Sequence, residues 1–324
     1  MGSFCFLLFL IFANLAFDEP RPRHLEEVTY DKKSDRLLLF GGAEVNDGVW
    51  QEPTMLYEWN GGKWNMITAQ GPAGRRGHGW IYDENRNETI LMGGVTTGQI
   101  AKDSILFDVW HWNGKSWKLM NTICPVKEPE VVYDPISKRI LVYGDANNKT
   151  VLNYNLETTF ELWEYKNETW IKLSDEGPDI RGSRMMAFDV ARKRLVAPVF
   201  EENGMTMWEW NGDEWTKHFH EKEYPSYRTR FAFAYHPVDK NMYLFGGLSA
   251  DRKQLGDFWS WDGNQWKRID IQEGPSVRNS SHFVFSNNQL ILYGGSVPRA
   301  HPATGIELSN EIWGWKNDKW ELLK

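Results

Sequence analysis

The residues in this sequence best suited to chemistry are arginines that recur at one spacing. A Pro-x-x-Arg unit occurs five times: Pro20 to Arg23, Pro72 to Arg75, Pro178 to Arg181, Pro225 to Arg228 and Pro275 to Arg278. A guanidinium offers a planar fork of N–H donors that grips a carboxylate, sulfate or phosphate two bonds at a time. In a chain of formal net charge −7, repeated arginines are a candidate trap for an acidic ligand. The candidate ligand-binding set is Arg23, Arg75, Arg181, Arg228, Arg278 and His78, with Arg76, Arg184, Arg230 and His282 close by in sequence. The repetition has a second reading, in which each arginine ties its own loop to the scaffold, as residues repeated in every unit usually do.

Other chemistry is sparse. Eight histidines show no metal-ligand spacing, and His218 and His220 alternate along a strand as a surface pair would. No metal site, no cofactor and no catalytic group is assigned. Of two cysteines, Cys5 lies in the first apolar segment and Cys124 stands alone without a neighbouring base. The acidic balance argues against nucleic acid, whose binders present a basic face to the phosphates. Asn-x-Ser/Thr sequons stand at Asn87, Asn148, Asn167 and Asn279.

The elements that must position the arginines are legible from the tryptophans, of which there are 18. All but Trp50 and Trp80 fall in one pattern, an aromatic, any residue, an aromatic, four residues, then Trp. It covers Tyr57–Trp59–Trp64, Trp110–Trp112–Trp117, Trp163–Tyr165–Trp170, Trp208–Trp210–Trp215, Trp259–Trp261–Trp266 and Trp313–Trp315–Trp320. Aromatics two apart share one face of a strand. Asn60-Gly61, Asn113-Gly114, Asn211-Gly212 and Asp262-Gly263 then supply the positive φ of a tight turn, so each copy is a β-hairpin. Before each hairpin comes a strand end, a short turn and an apolar run closing on glycines, as in Tyr30-Asp31 through Phe40-Gly41-Gly42. Repeat four has Val199-Phe200 in place of the glycines, and repeat three has Val126-Lys127-Glu128 in place of its arginine unit.

Each repeat thus holds four strands in about 45 to 55 residues, a period of propeller blades. The glycine pair after an aromatic and the aromatic hairpin ending in Trp resemble kelch repeats, the type found in the central domain of galactose oxidase. The resemblance implies an all-β fold, a six-bladed β-propeller of four-stranded blades over residues 18–324. The repeats run approximately over 20–70, 71–122, 123–175, 176–222, 223–272 and 273–324. The first strand begins near Glu26 and the last ends at Lys324, so no strand is swapped and the ring must close by packing. Phe4 to Phe17 is an uncharged apolar run too short to span a bilayer as a helix of about 20 residues. It reads as a signal peptide, residues 1–17, with an uncleaved anchor as the alternative.

The expected function follows from what is present. The second-to-third strand loops vary, with long ones at Ala146 to Leu162 and Ser296 to Ile312, and variable loops on a rigid scaffold are where recognition is built. The expectation is a secreted, monomeric binding module, extracellular or periplasmic, for a protein, an acidic glycan or a small acidic ligand. No membrane span remains once the signal is cleaved. The propeller's pseudo-symmetry would set the repeated arginines around one mouth of its central channel. The alternative is a carbohydrate-acting enzyme resembling N-acetylneuraminate epimerase, or a lyase or hydrolase, using that mouth. The copper chemistry of galactose oxidase needs a Tyr–Cys cross-link that Cys124 gives no sign of supplying, and the sialidase Asp-box is absent.

Overall fold

The computed structural model describes residues 19–46, 49–96, 104–147, 158–181, 185–201, 204–219, 223–298 and 306–324. The apolar segment read as a signal peptide, Arg184, Asn148, His220 and the centres of the two long loops lie outside them. The described residues contain strands and no helix. They form six antiparallel sheets of four strands, each built from consecutive stretches of chain, which is a six-bladed β-propeller.

From the centre outward, blade 1 is His24–Asp31, Arg36–Asn46, Leu56–Trp59 and Trp64–Thr68. Blade 2 is Gly79–Asp83, Glu88–Thr96, Ser104–Trp112 and Trp117–Ile123; blade 3 is Lys127–Asp134, Arg139–Asp145, Phe160–Lys166 and Thr169–Ser174. Blade 4 is Ala187–Asp189, Arg194–Glu201, Gly204–Trp210 and Trp215–Phe219. Blade 5 is Ala232–His236, Asn241–Leu248, Gln254–Trp261 and Trp266–Ile269. Blade 6 is His282–Ser286, Gln289–Tyr293, Ile312–Lys316 and Lys319–Leu322. Two short hairpins extend blades 1 and 6, one pairing Val49–Gln51 with the second strand and one pairing Ser296–Pro298 with Ile306–Leu308.

The aromatic motif explains why the blades stack. Its second aromatic lies directly across the hairpin from its Trp: Trp59 pairs with Trp64, Trp112 with Trp117, Tyr165 with Trp170 and Trp210 with Trp215. The Trp then reaches into the preceding blade, onto the aromatic that stands just before the glycine of its second strand. Trp117 meets Phe40 at 5.6 Å between ring centroids, Trp215 meets Tyr143 at 5.6 Å and Trp320 meets Phe245 at 5.8 Å. Edge-to-face pairs at these separations add to the burial of large rings.

The glycines after that aromatic let the next blade approach. A Cβ on Gly41 would sit 2.4 Å from the Arg75 carbonyl oxygen, and Gly42 donates its N–H to that same oxygen at 2.8 Å. Gly247 and Arg278 repeat the stitch between blades 5 and 6, also at 2.8 Å. The inner strands touch one another in turn, and the last, His282–Ser286, touches the first, so the ring is closed. Among the described residues no strand crosses the seam. Blades 6 and 1 join through side chains, with Ile291, Tyr293 and Ile312 packed on Val28, Leu39 and Trp64.

Candidate functional site

The first-to-second strand turns and the outer hairpin turns lie on one face of the propeller. The glycine pairs, the Pro-x-x-Arg units and the second-to-third loops lie on the other, around one mouth of the central channel. Four of the five arginines are sealed there. Arg23, Arg75, Arg228 and Arg278 are at most 1% exposed. Each donates from Nε to the carbonyl two residues back and from Nη1 to the first glycine carbonyl of its blade, Gly41, Gly93, Gly246 or Gly294.

Each also meets an acid. Arg75 makes a bidentate pair with Asp108 at 2.5 and 3.0 Å, and Arg228 with Asp257 at 2.6 and 2.8 Å. Arg278 binds Glu311 at 2.5 Å and Arg23 lies 3.0 Å from Glu44. Burial works to raise the carboxyl pKa of Asp108 and Asp257, yet the hydrogen bonds and charges of Arg75 and Arg228 hold both below the usual carboxylate range. The same acids accept the indole N–H of the Trp two residues on, Trp110 and Trp259, at 2.6 Å. These four guanidiniums are therefore spent on the scaffold.

Arg181 differs, and the reason is local. Blade 4 has Thr206 where Asp108, Asp257 and Glu311 stand, and it lacks the glycine pair. Arg181 consequently turns outward, is 45% exposed and pairs with Asp179 two residues away. Blade 3 shows the converse. Val126 fills the arginine position in the core, and the orphaned acid Glu161 takes Lys172 and the Trp163 indole instead.

His78 is also sealed, 1% exposed, edge-on to Phe40 at 5.7 Å. Burial and then the Arg75 charge push its pKa well below the usual histidine value, so the ring is neutral. Glu26, at the equivalent place in blade 1, is fully buried and neither carboxylate oxygen has a hydrogen-bond partner among the described residues. Burial raises its pKa to about 8. His282 stands 3.5 Å from Glu27 across the seam, and burial lowers its pKa to about 4.

What faces solvent at the mouth is a second set. Arg230 is exposed and forms no ion pair among the described residues. Arg76 is partly exposed and holds Glu52 at 2.7 Å. His24 lies beside them, and its pKa falls to about 4 through burial and then the charges of Arg230 and Arg76. Blades 1, 2 and 5 can converge in this way only across the channel mouth. The Trp50 ring, 50% exposed, stands 4.9 Å from His24, and Tyr227 is similarly open next to Phe200.

The backbone here is strained. Leu25, Gly77, Glu128, Arg230 and Ser280 occupy one equivalent position in five blades, all with φ between 43° and 58°. A left-handed conformation at Leu and Arg costs energy that the surroundings must hold, and such residues cluster at binding sites. Sequence reasoning placed Arg230 near the site but gave it no special role, because it stands at a position the repeat does not conserve in type. The acids were missed altogether, although an acid two residues before the hairpin aromatic recurs at Asp108, Glu161, Asp257 and Glu311.

Cys124 is buried, and burial pushes its thiol pKa up to about 12, which leaves it unreactive. Among the sequons, Asn87 and Asn167 stand exposed in turns, whereas Asn279 is 4% exposed.

No protein-family model matches the sequence, and no curated protein matches it. Among solved structures the chain is similar to one described as the structure of YjhT, at a TM-score of 0.65 over 94% of this chain and 98% of that one. The two are 14% identical, so the likeness is one of fold.

Proposed function

We propose that this propeller is a kelch-type binding module, working outside the cytosol, which holds an acidic glycan or small acidic ligand at the channel mouth. The observation that carries the reading is Arg230, an exposed guanidinium on strained backbone without an ion-pair partner among the described residues. Together with Arg76 it sets up a field positive enough to help keep His24 neutral. A carboxylate or sulfate is the chemistry that field attracts. Trp50 and Tyr227 add flat apolar faces of the kind on which a sugar ring stacks.

The test is a binding screen of the whole chain against matched acidic and neutral glycans, followed by titration of Arg230→Ala. Binding confined to carboxylated or sulfated members, and weakened at least about tenfold in the variant, supports the reading. Equal binding of neutral members, or an unaffected variant, overturns it.

A second reading, an acid–base enzyme acting on an acidic sugar, draws on Glu26, whose raised pKa near the mouth suits proton transfer at neutral pH. Its weakness is that Glu26 has no exposed surface. Turnover of a uronic or sialic acid that vanishes in Glu26→Gln, with ligand binding retained, would favour this reading over the first.

A further inference from the structure

On the face opposite the arginine units, blade 2 breaks a rule that blades 1, 3 and 4 keep. In those three blades a guanidinium fills the space between the end of the inner strand and the third strand. Arg36 bridges Asp31 and Glu58; Arg139 bridges Asp134 and Glu164 at 3.0 and 3.2 Å; Arg192 bridges Asp189 and Glu209 at 2.7 Å each. Blade 2 reverses the pair. Glu88 stands where Arg36 and Arg139 stand, and His111 stands where Glu58 and Glu164 stand. Its arginine, Arg86, comes from the turn and pairs with Asp83 at 2.7 Å.

A cleft of about 320 Å³ opens there between blades 2 and 3, lined by Arg86, Glu88, His111, Asn113, Lys118 and Glu168. Its floor is fixed, because His111 is 4% exposed, with Nδ1 3.0 Å from Glu88 and Nε2 3.1 Å from the Tyr165 hydroxyl of blade 3. Its rim is loose. Lys118 and Glu168 face each other across the blade boundary at 3.7 Å, both more than half exposed, and such a pair is parted at little cost.

The lining carries two permanently charged cations, Arg86 and Lys118, and two carboxylates, Glu88 and Glu168. A simple anion would meet Glu88 and Glu168; a simple cation would meet Arg86 and Lys118. We infer that the cleft binds a small zwitterion, a free α-amino acid, with its ammonium between Glu88 and Glu168 and its carboxylate on Lys118 and Arg86. The Asn113 side chain supplies a further donor or acceptor, and the volume lies at the small end of ligand sites.

Titration calorimetry of the whole chain with each common L-amino acid tests this, using the N-acetylated and the amidated form of any binder as controls. At least one free amino acid binds, and blocking either terminus weakens it by about tenfold or more. The double variant Glu88→Arg with His111→Glu, which restores the pattern of blades 1 and 3, abolishes binding at an unchanged melting temperature. Should that variant unfold, Lys118→Met with Glu168→Gln decides, since both side chains are exposed and binding must fall with the fold intact. No saturable heat from any amino acid at about 10 mM, or equal binding of the blocked forms, overturns the inference.

Discussion

At the residue scale, a repeated arginine proves to be several different things depending on what stands opposite it. Arg228 is sealed because Asp257 lies 29 positions away across the blade to meet it, whereas Arg181 faces Thr206 and swings into solvent. Removing one member of a buried pair strands the other, so Arg228→Ala should destabilise the fold by about 3–5 kcal/mol. Arg181→Ala, which breaks only an exposed pair, should stay within about 0.5 kcal/mol of the parent. Denaturant unfolding of the two variants checks the contrast, and equal losses would mean that Asp257 contributes nothing. The paired acids also set an acid limit. Asp108 and Asp257 have folded pKa values below those of the unfolded chain, so their stabilisation is present above the ordinary carboxylate range. It is lost as pH falls through the lowered values.

At the scale of the element, what could be read in advance is what repeats in identity and spacing. The hairpin was legible because Trp64, Trp117, Trp170, Trp215, Trp266 and Trp320 follow their aromatic partners at one interval in every copy. The acids opposite the arginines were hidden because they come from another strand, and because blade 1 replaces its acid by Met55 and uses Glu44 instead. Arg230 was hidden for a related reason, since its equivalents in other blades are Leu25, Gly77, Glu128 and Ser280. The glycines show the same division between local and tertiary demands. Gly212 and Gly246 both have positive φ, but a Cβ on Gly212 meets nothing within 4 Å, while one on Gly246 lies 2.5 Å from the Arg278 carbonyl oxygen of the next blade. Gly212→Ala should therefore cost about 1–2 kcal/mol for its backbone alone. Gly246→Ala should cost about 3 kcal/mol or more, because blades 5 and 6 must also part. Equal melting temperatures for the two would show that the close approach relaxes freely.

At the scale of the whole molecule, the seam between blades 6 and 1 is where this ring is held differently from a single folded sheet. It contains aromatic and aliphatic packing, the contact of Tyr30 with Asn287, and a terminal pair between Lys324 and Glu19. It also contains Glu26, whose carboxylate reaches the position a Cβ on Gly294 of blade 6 would crowd at 2.7 Å. Burial raises the folded pKa of Glu26 from 4.5 to about 8, so the folded state prefers the protonated acid. Stability from this group is thus full below its unfolded pKa and is lost progressively as pH rises to about 8, by roughly 5 kcal/mol at most. Glu26→Gln should flatten the fall in melting temperature between about pH 4.5 and 8, and an unchanged slope would assign that fall to other groups. The sharper test changes the topology of the seam and leaves its contacts alone. Lys324 and Glu19 approach to 2.5 Å at their side chains, so a short linker can join residue 324 to residue 19. Opening the chain instead between Asn60 and Gly61 places Trp64–Thr68 at the start and Leu56–Trp59 at the end of one blade. Parting the ring then requires breaking the hydrogen bonds of a β-sheet as well as side-chain packing. The permuted chain should melt several degrees higher than the parent, and an equal or lower melting temperature would show that the packed seam is not where the ring first opens.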